Sequence, residues 1–452
     1  MPRLTLSSAP YSTLYGPAQS TPELRQLYSA QATVQAMLDV EAALARAAAK
    51  AKIIPARAAS AIARACDASR FDLAAIASKG TDAGNIAIPL VTALTGRVEG
   101  SAARYVHWGA TSQDIIDTAT VLQLRAAFDL IERDLKRTLA ILAQLARKHR
   151  RTVMTGRTLL QPAAIVSFGL KAALWRDALL RHCQRLQEAR TRCLVLQFGG
   201  AVGTLSSLSR AGPKVARELG RLLKLPVPDL PWHTNRDRIG EVAAMLGLLG
   251  GSLAKIAQDI ALMMQGEIGE LREPAAAGRG GSSAMPQKRN PVLCVNILAA
   301  TTRMPGLVAT LLHTQAQQHE RAAGNWQAEW SVLPELVLLS GGALAQMNEM
   351  LDGLEVDARR MRANIEAQQG LLMAEAVSMA LAAKLGKKQA HTLIARTSKR
   401  ALANGIHLRE AIEQDDALVR HFDRRTLDRL FDPAASLGAT EAMIAAALKR
   451  KP

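Results

Sequence analysis

Apolar positions along the chain recur at alternating intervals of three and four over stretches much longer than an ordinary globular helix. From Val121 they run Val121, Leu124, Phe128, Ile131, Leu135, Leu142 and Leu145, with Thr138 as the polar member of the seam. This is heptad spacing. A second run carries Val242, Met245, Leu249, Leu253, Ile256, Ile260 and Met263, and further helical patterns cover roughly residues 162–195, 291–317 and 327–351. Helices of ~30 residues are ~45 Å long and must pack lengthwise, so the pattern predicts an elongated all-α bundle. On either side the pattern shortens. Residues 1–110 are broken by Pro55 and Pro89, and from about Asp357 shorter helices are separated by Gly370, Gly386 and Gly405. The expected layout is a mixed helical region over 1–110, a central long-helix bundle over 111–356 and a small helical region over 357–452.

Composition agrees with helices. The chain has 452 residues, 49% hydrophobic but only 3% aromatic, with alanine-rich stretches such as "EAALARAAAK" at 41–50. No uncharged apolar run approaches ~18 residues, so no membrane span is expected. The opening "MPRLTLSSAPYSTLYGPAQS" lacks the apolar core of a secretory signal. Cys66, Cys183, Cys193 and Cys294 form no CxxC pair and suggest no disulfide framework, so a cytoplasmic protein is expected. The charge is less ordinary: 57 Lys and Arg against 39 acids give a net of +18. That suits either nucleic acid or a multiply anionic small molecule. The basic residues are spread along the chain and the few aromatics offer no stacking platform, so nucleic-acid binding is not expected.

Three loops carry candidate chemistry. The first, "RYVHWGATSQDIIDTA" at 104–119, lies where the broken region meets the first long helix. Thr111 and Asp114 have capping-box spacing, and a helix start offers free N–H groups to a carboxylate. His107, Thr111 and Ser112 either bind substrate there or serve only as packing and caps. The second, "TGRTLLQPAAI" at 155–165, is expected to lead straight into a long helix, with Gln161 and Pro162 at its entry and Thr158 as a nearby donor. The third, "EPAAAGRGGSSAMPQKRNPV" at 273–292, is long for a connection between bundle helices, as lids and binding loops are. Asn290 before Pro291 reads as an N-cap, a role compatible with substrate contact. Lys288 places a cation near Ser282, and a serine can act as a base only where its alkoxide is stabilised. By the helix rise, the first two loops lie ~50 Å apart in one subunit. Either they are unrelated, or separate subunits supply them to one site.

The string "GSSAMPQKRNP" at 281–291 resembles GSSxMPxKxNP, the signature of the fumarase/aspartase superfamily, and "HWGATSQD" and "EAALARA" match in the right order. The resemblance covers essentially the whole chain. It implies an all-α homotetramer built on a central long-helix bundle, with active sites shared between subunits and no metal or organic cofactor. It further implies that Ser282 is the catalytic serine that moves a proton next to a carboxylate. Lys288 and Asn290 then hold that carboxylate, while Thr111, Ser112, Thr158, Gln161 and His107 contact substrate. Arg321, in "HERAAGNW", is a candidate for a further carboxylate.

One position departs from the pattern. Where many members carry a histidine in T-H-x-Q, this chain reads Thr158-Leu159-Leu160-Gln161. Leucine exchanges no proton, so an elimination needing a protonated leaving group has lost its helper. A carboxylate leaving group needs none. The departure therefore points to the 3-carboxy-cis,cis-muconate cycloisomerase branch, whose substrate is a small tricarboxylate, ahead of adenylosuccinate or argininosuccinate lyases. "TDAGNIAIPLV", "LVLQFGGAVGTL", "PWHTNRDR" and "QHERAAGNWQAEW" resemble the same branch.

Overall fold

The computed structural model describes residues 15–451 apart from positions 277, 282, 283 and 286. The chain forms two compact units. One takes the chain up to Leu135 with His182–Ala254 and Asn296–Gln346; the other takes Lys136–Arg181, Lys255–Val295 and the chain from Met347.

The long patterns are helices Ser112–Lys148, Phe168–Cys193, Asp237–Met263, Val292–His313 and Asn325–Asp352. The seam from Val121 to Leu142 is buried throughout, and Leu145 is half-buried. Its polar member is satisfied, because Thr138 Oγ1 donates to Asn348 Oδ1 at 2.6 Å in the buried interior of the second unit. All seven positions of the run from Val242 to Met263 are buried. Helices Asp237–Met263 and Val292–His313 are long and apolar enough to cross a membrane, by length and composition. Charged residues interrupt both, Glu241, Lys255 and Asp259 in the first and Arg303 in the second, so neither holds the uncharged run of ~18 residues that the sequence also lacks. The first is a core helix, whereas only 33% of the apolar stretch of the second is buried within the chain.

In the first unit, helix Ala30–Lys50 packs on Ala56–Ala65 and on Gly212–Leu223. Its Ser29 N-cap accepts from Ala32 N, and Val34, Leu38 and Leu44 face inward. In the second unit, helices Ala374–Leu385 and Lys387–Asn404 close over Val377, Leu381, Ile394, Leu408, Ile412 and Leu418. The four cysteines are free thiols.

The segment expected to run directly into a helix does otherwise. Val153–Thr158 and Gln161–Ser167 form an antiparallel hairpin, and the helix begins only at Phe168. Leu159 and Leu160 make the two-residue turn, with φ +50° and +68°. Left-handed φ at both central residues matches the twist of paired strands. Pro162 therefore stands near a strand start and pairs with Arg157, not at a helix entry. A bulge beside it leaves Ala163 out of the ladder, where a proline without an N–H is tolerated. Ile165 seats the hairpin against Ile365, Leu372, Met373 and Leu437 of the same unit.

Candidate active site

In the first unit, the loop before helix Ser112–Lys148 is organised by a carboxylate. Asp114 reaches back to Thr111 N at 3.1 Å, the acidic half of the expected capping box. It also accepts from Gly199 N and Gly200 N, both at 2.9 Å, from His233 Nε2 at 2.9 Å and from Gln197 Nε2 at 3.2 Å. Asp114 and His233 are buried, so this network ties three distant stretches of sequence together at one point. Glycine is required at 199, where an added Cβ would lie 2.7 Å from Pro231, and at 200, which has φ +71°.

The hydroxyl of Thr111 is free of capping duty. It accepts from Arg321 Nη1 at 2.9 Å, while Arg321 Nη2 donates to Ala201 O at 2.8 Å. Two residues expected at the site, 210 positions apart, are thus in direct contact. Ser112 opens the helix half-buried, where unpaired N–H groups and the positive dipole end gather. His107 stands a turn before it, with φ +60°. Its Nδ1 lies 2.5 Å from Oε1 of Glu41, which is only 1% exposed. Burial alone would favour the neutral ring. The hydrogen bond and charge of Glu41, with Asp114 behind them, outweigh that and hold the imidazolium above the ordinary histidine range.

Behind the loop lies a buried ion cluster. Arg236 grips Asp117 through two nitrogens, at 2.7 and 3.1 Å, and also binds Glu329. Trp326 Nε1 donates to Asp117 at 3.0 Å. Desolvation pushes the Glu329 carboxyl up despite Arg236.

The second unit holds the remaining candidates. Thr158 and Gln161 pair across the hairpin tip and are exposed, and Leu159 and Leu160 between them are 96% and 72% exposed. The hairpin base is fixed by Arg157, whose two nitrogens bind the buried Glu270 at 3.0 and 2.9 Å. Ser282 lies outside the described residues. Around it, the loop is pinned by Asn290 N to Gly280 O at 2.9 Å, by Arg279 on Glu349 and by Arg289 on Glu355. Lys288 is exposed and Asn290 half-buried. The expectation that Asn290 caps the next helix needs correction. The first free N–H groups of Val292–His313 go to Glu273, with Leu293 N at 3.0 Å and Cys294 N at 2.7 Å. A buried carboxylate at a helix start satisfies two donors at once, which an asparagine side chain does not. Among the described residues, no cluster of three His, Cys, Asp or Glu is placed to hold a metal ion.

A family model described as lyase matches residues 17–306, and one described as adenylosuccinate lyase C-terminus matches residues 370–447. The chain belongs to the fumarase/aspartase superfamily. It is 51% identical to a 3-carboxy-cis,cis-muconate cycloisomerase of Bradyrhizobium diazoefficiens, over 97% of this chain and 98% of that protein. It is 48% identical to one from Pseudomonas aeruginosa, over 98% and 97% respectively. The crystal structure of the 3-carboxy-cis,cis-muconate lactonizing enzyme from Pseudomonas putida superposes with a TM-score of 0.92 at 47% identity, covering 97% of this chain and 98% of that one.

As a superfamily member, the chain places its sequence-predicted residues in two groups: His107, Thr111, Ser112 and Arg321 in one unit, Thr158, Gln161, Lys288 and Asn290 in the other. Glu41, Asp114 and Glu273 were missed as candidates. For Asp114 the capping spacing was a signal. For Glu41 the signal was an acid within an alanine run on a helix face that must be buried.

Proposed function

We propose that this chain is a 3-carboxy-cis,cis-muconate cycloisomerase. The observation that carries the reading is near-full-length identity to proteins of that name, together with Leu159 where a proton-exchanging histidine would serve a lyase. In the reaction, one substrate carboxylate attacks C4 of the diene and forms the lactone C–O bond. The electron pair of the attacked double bond moves toward the conjugated carboxylate, which becomes enolate-like. Lys288, Asn290 and helix-start amides stabilise that charge, and Ser282 delivers the proton to the α-carbon. The product, 4-carboxymuconolactone, carries one negative charge fewer because the attacking carboxylate has become an ester.

The remaining carboxylates fall to cations and donors of the first unit: Arg321, Thr111, Ser112 and His107. Thr158 and Gln161 reach substrate from the hairpin tip. The assembly is a homotetramer with sites shared between subunits, and the chain is read as 1–110, 111–356 and 357–452. Two features support sharing. In chain order the first loop precedes the 37-residue helix Ser112–Lys148 and the hairpin follows it. Helix Val292–His313 also leaves Val295 and Leu312 in solvent, an apolar face suited to a second copy. We place the protein in the cytoplasm, acting on a small tricarboxylate, without nucleic acid, membrane or cofactor.

The test is spectrophotometric. Purified protein should remove the diene absorbance of 3-carboxy-cis,cis-muconate, and Ser282→Ala should lower kcat by at least about a thousandfold, as loss of a proton-transferring group does. Cleavage of adenylosuccinate or argininosuccinate, with no loss of diene absorbance, would overturn the assignment.

A further inference from the structure

Glu41 sits on helix Ala30–Lys50 among Ala42, Ala43, Leu44 and Ala45, all buried. A carboxylate taken out of water there is costly unless paired, and among the described residues no lysine or arginine forms an ion pair with it. Its Oε1 binds His107 Nδ1 at 2.5 Å, and its Oε2 is buried without a hydrogen-bond partner among the described residues. The pairing spans 66 positions and holds His107 in a left-handed backbone conformation at φ +60°. Left-handed backbone at a non-glycine residue persists only where the surroundings impose it. The ring is 19% exposed, so one edge is engaged by Glu41 while the Nε2 edge has no partner among the described residues.

The geometry points to Glu41 as the positioning residue of His107: it claims Nδ1–H, fixes the ring plane and turns Nε2–H toward the substrate as a charge-assisted donor to a carboxylate. This inference rests on the proposed placement of His107 at the substrate. The electrostatics agree. The charged groups acting on the ring are Glu41 from helix Ala30–Lys50 and Asp114 from the start of helix Ser112–Lys148, both acids. The Cys66 thiol, which feels the Glu41 charge, is pushed up to about 12 by burial and by the Glu41 and Asp39 charges, so it stays neutral and adds no competing charge. With an anionic partner at Nδ1, the ring holds its second proton to a higher pH than an ordinary histidine does. With a neutral partner it would lose that proton and present a lone pair to an anion instead.

Glu41→Gln keeps the shape and an acceptor oxygen but removes the charge. In the wild-type enzyme without substrate, the imidazole of His107, assigned by its disappearance in His107→Gln, should titrate above the ordinary value of about 6.5. In Glu41→Gln it should fall to that value or below. For 3-carboxy-cis,cis-muconate, KM of Glu41→Gln should be about tenfold higher than wild type at a pH between the imidazole midpoints measured for the two proteins, the low end for a lost charge-assisted hydrogen bond. That gap should close as pH falls below both measured midpoints, where both rings are protonated, with kcat within about twofold throughout. Identical KM–pH curves for the two proteins, or a fall in kcat with KM unchanged, would overturn the inference. So would a wild-type His107 that titrates at or below the ordinary value, a measurement that needs no turnover and for which the Glu41 variant need not fold. If the muconate is not a substrate, the titration arm still decides the pairing, and the functional assignment fails separately.

Discussion

Asp114 shows how much of this site is a hydrogen-bond problem solved by a single side chain. Five N–H groups from three sequence stretches converge on its two oxygens. A carboxylate has about four lone-pair directions and no donor, so it can take such a set; an amide cannot. Asp114→Asn places an NH2 against backbone N–H groups that cannot move away. Each hydrogen bond to a charged group contributes about 1.5–3 kcal/mol, so the loss of two should destabilise the chain by about 3 kcal/mol or more. The loop carrying Thr111 and Ser112 would lose its register as well. The midpoint of urea unfolding should drop, and KM should rise even where the protein remains folded. An Asn variant with wild-type KM would mean that the loop is held by its backbone alone.

The hairpin raises the corresponding question at the scale of an element. Leu159 and Leu160 adopt left-handed φ, each at about 1–2 kcal/mol, and they expose large apolar side chains at the tip. Neither choice helps an isolated chain. Asn-Gly would form the same turn without strain. Replacing Leu159 with Asn and Leu160 with Gly should therefore keep or raise Tm while lowering kcat/KM, if the tip forms an apolar wall of a shared site. Full activity with a raised Tm would place the tip away from substrate. This hairpin was also the element least legible in the sequence. The seams through Val121 and Val242 were legible because burial on one face imposes a period on many residues at once. A two-residue turn imposes nothing of the kind, and Leu-Leu carries no turn signature. The cap on helix Val292–His313 was obscured for a related reason. Asn290-Pro291 has the local look of a cap, but Glu273 arrives from about twenty positions upstream, and local patterns do not encode tertiary partners. Glu41 and His107 were each in view as residues, while their contact belongs to the packing of a loop on a helix. The serine loop was the opposite case: its string was recognisable at once, although Ser282 itself lies outside the described residues.

At the scale of the whole molecule, two long-range terms oppose each other. Each chain carries a net charge of +18, so copies that assemble repel one another. The apolar face left open on helix Val292–His313 must outweigh that repulsion for a tetramer to form. Salt screens the repulsion and leaves apolar burial intact, so it should favour assembly. The encounter with a trianionic muconate depends on the same charge with the opposite sign. A field summed over a basic surface raises the association rate of an anion, and raising ionic strength from about 0.01 M to 0.15 M shortens its reach from about 30 Å to 8 Å. The two effects therefore separate in one titration. With salt, sedimentation should show the assembly unchanged or tighter, while kcat/KM falls and kcat, measured at saturating substrate, stays level. A kcat/KM that rises with salt in step with assembly would mean that subunit association limits activity. A flat kcat/KM on a stable tetramer would mean that the charge does not steer substrate to the site.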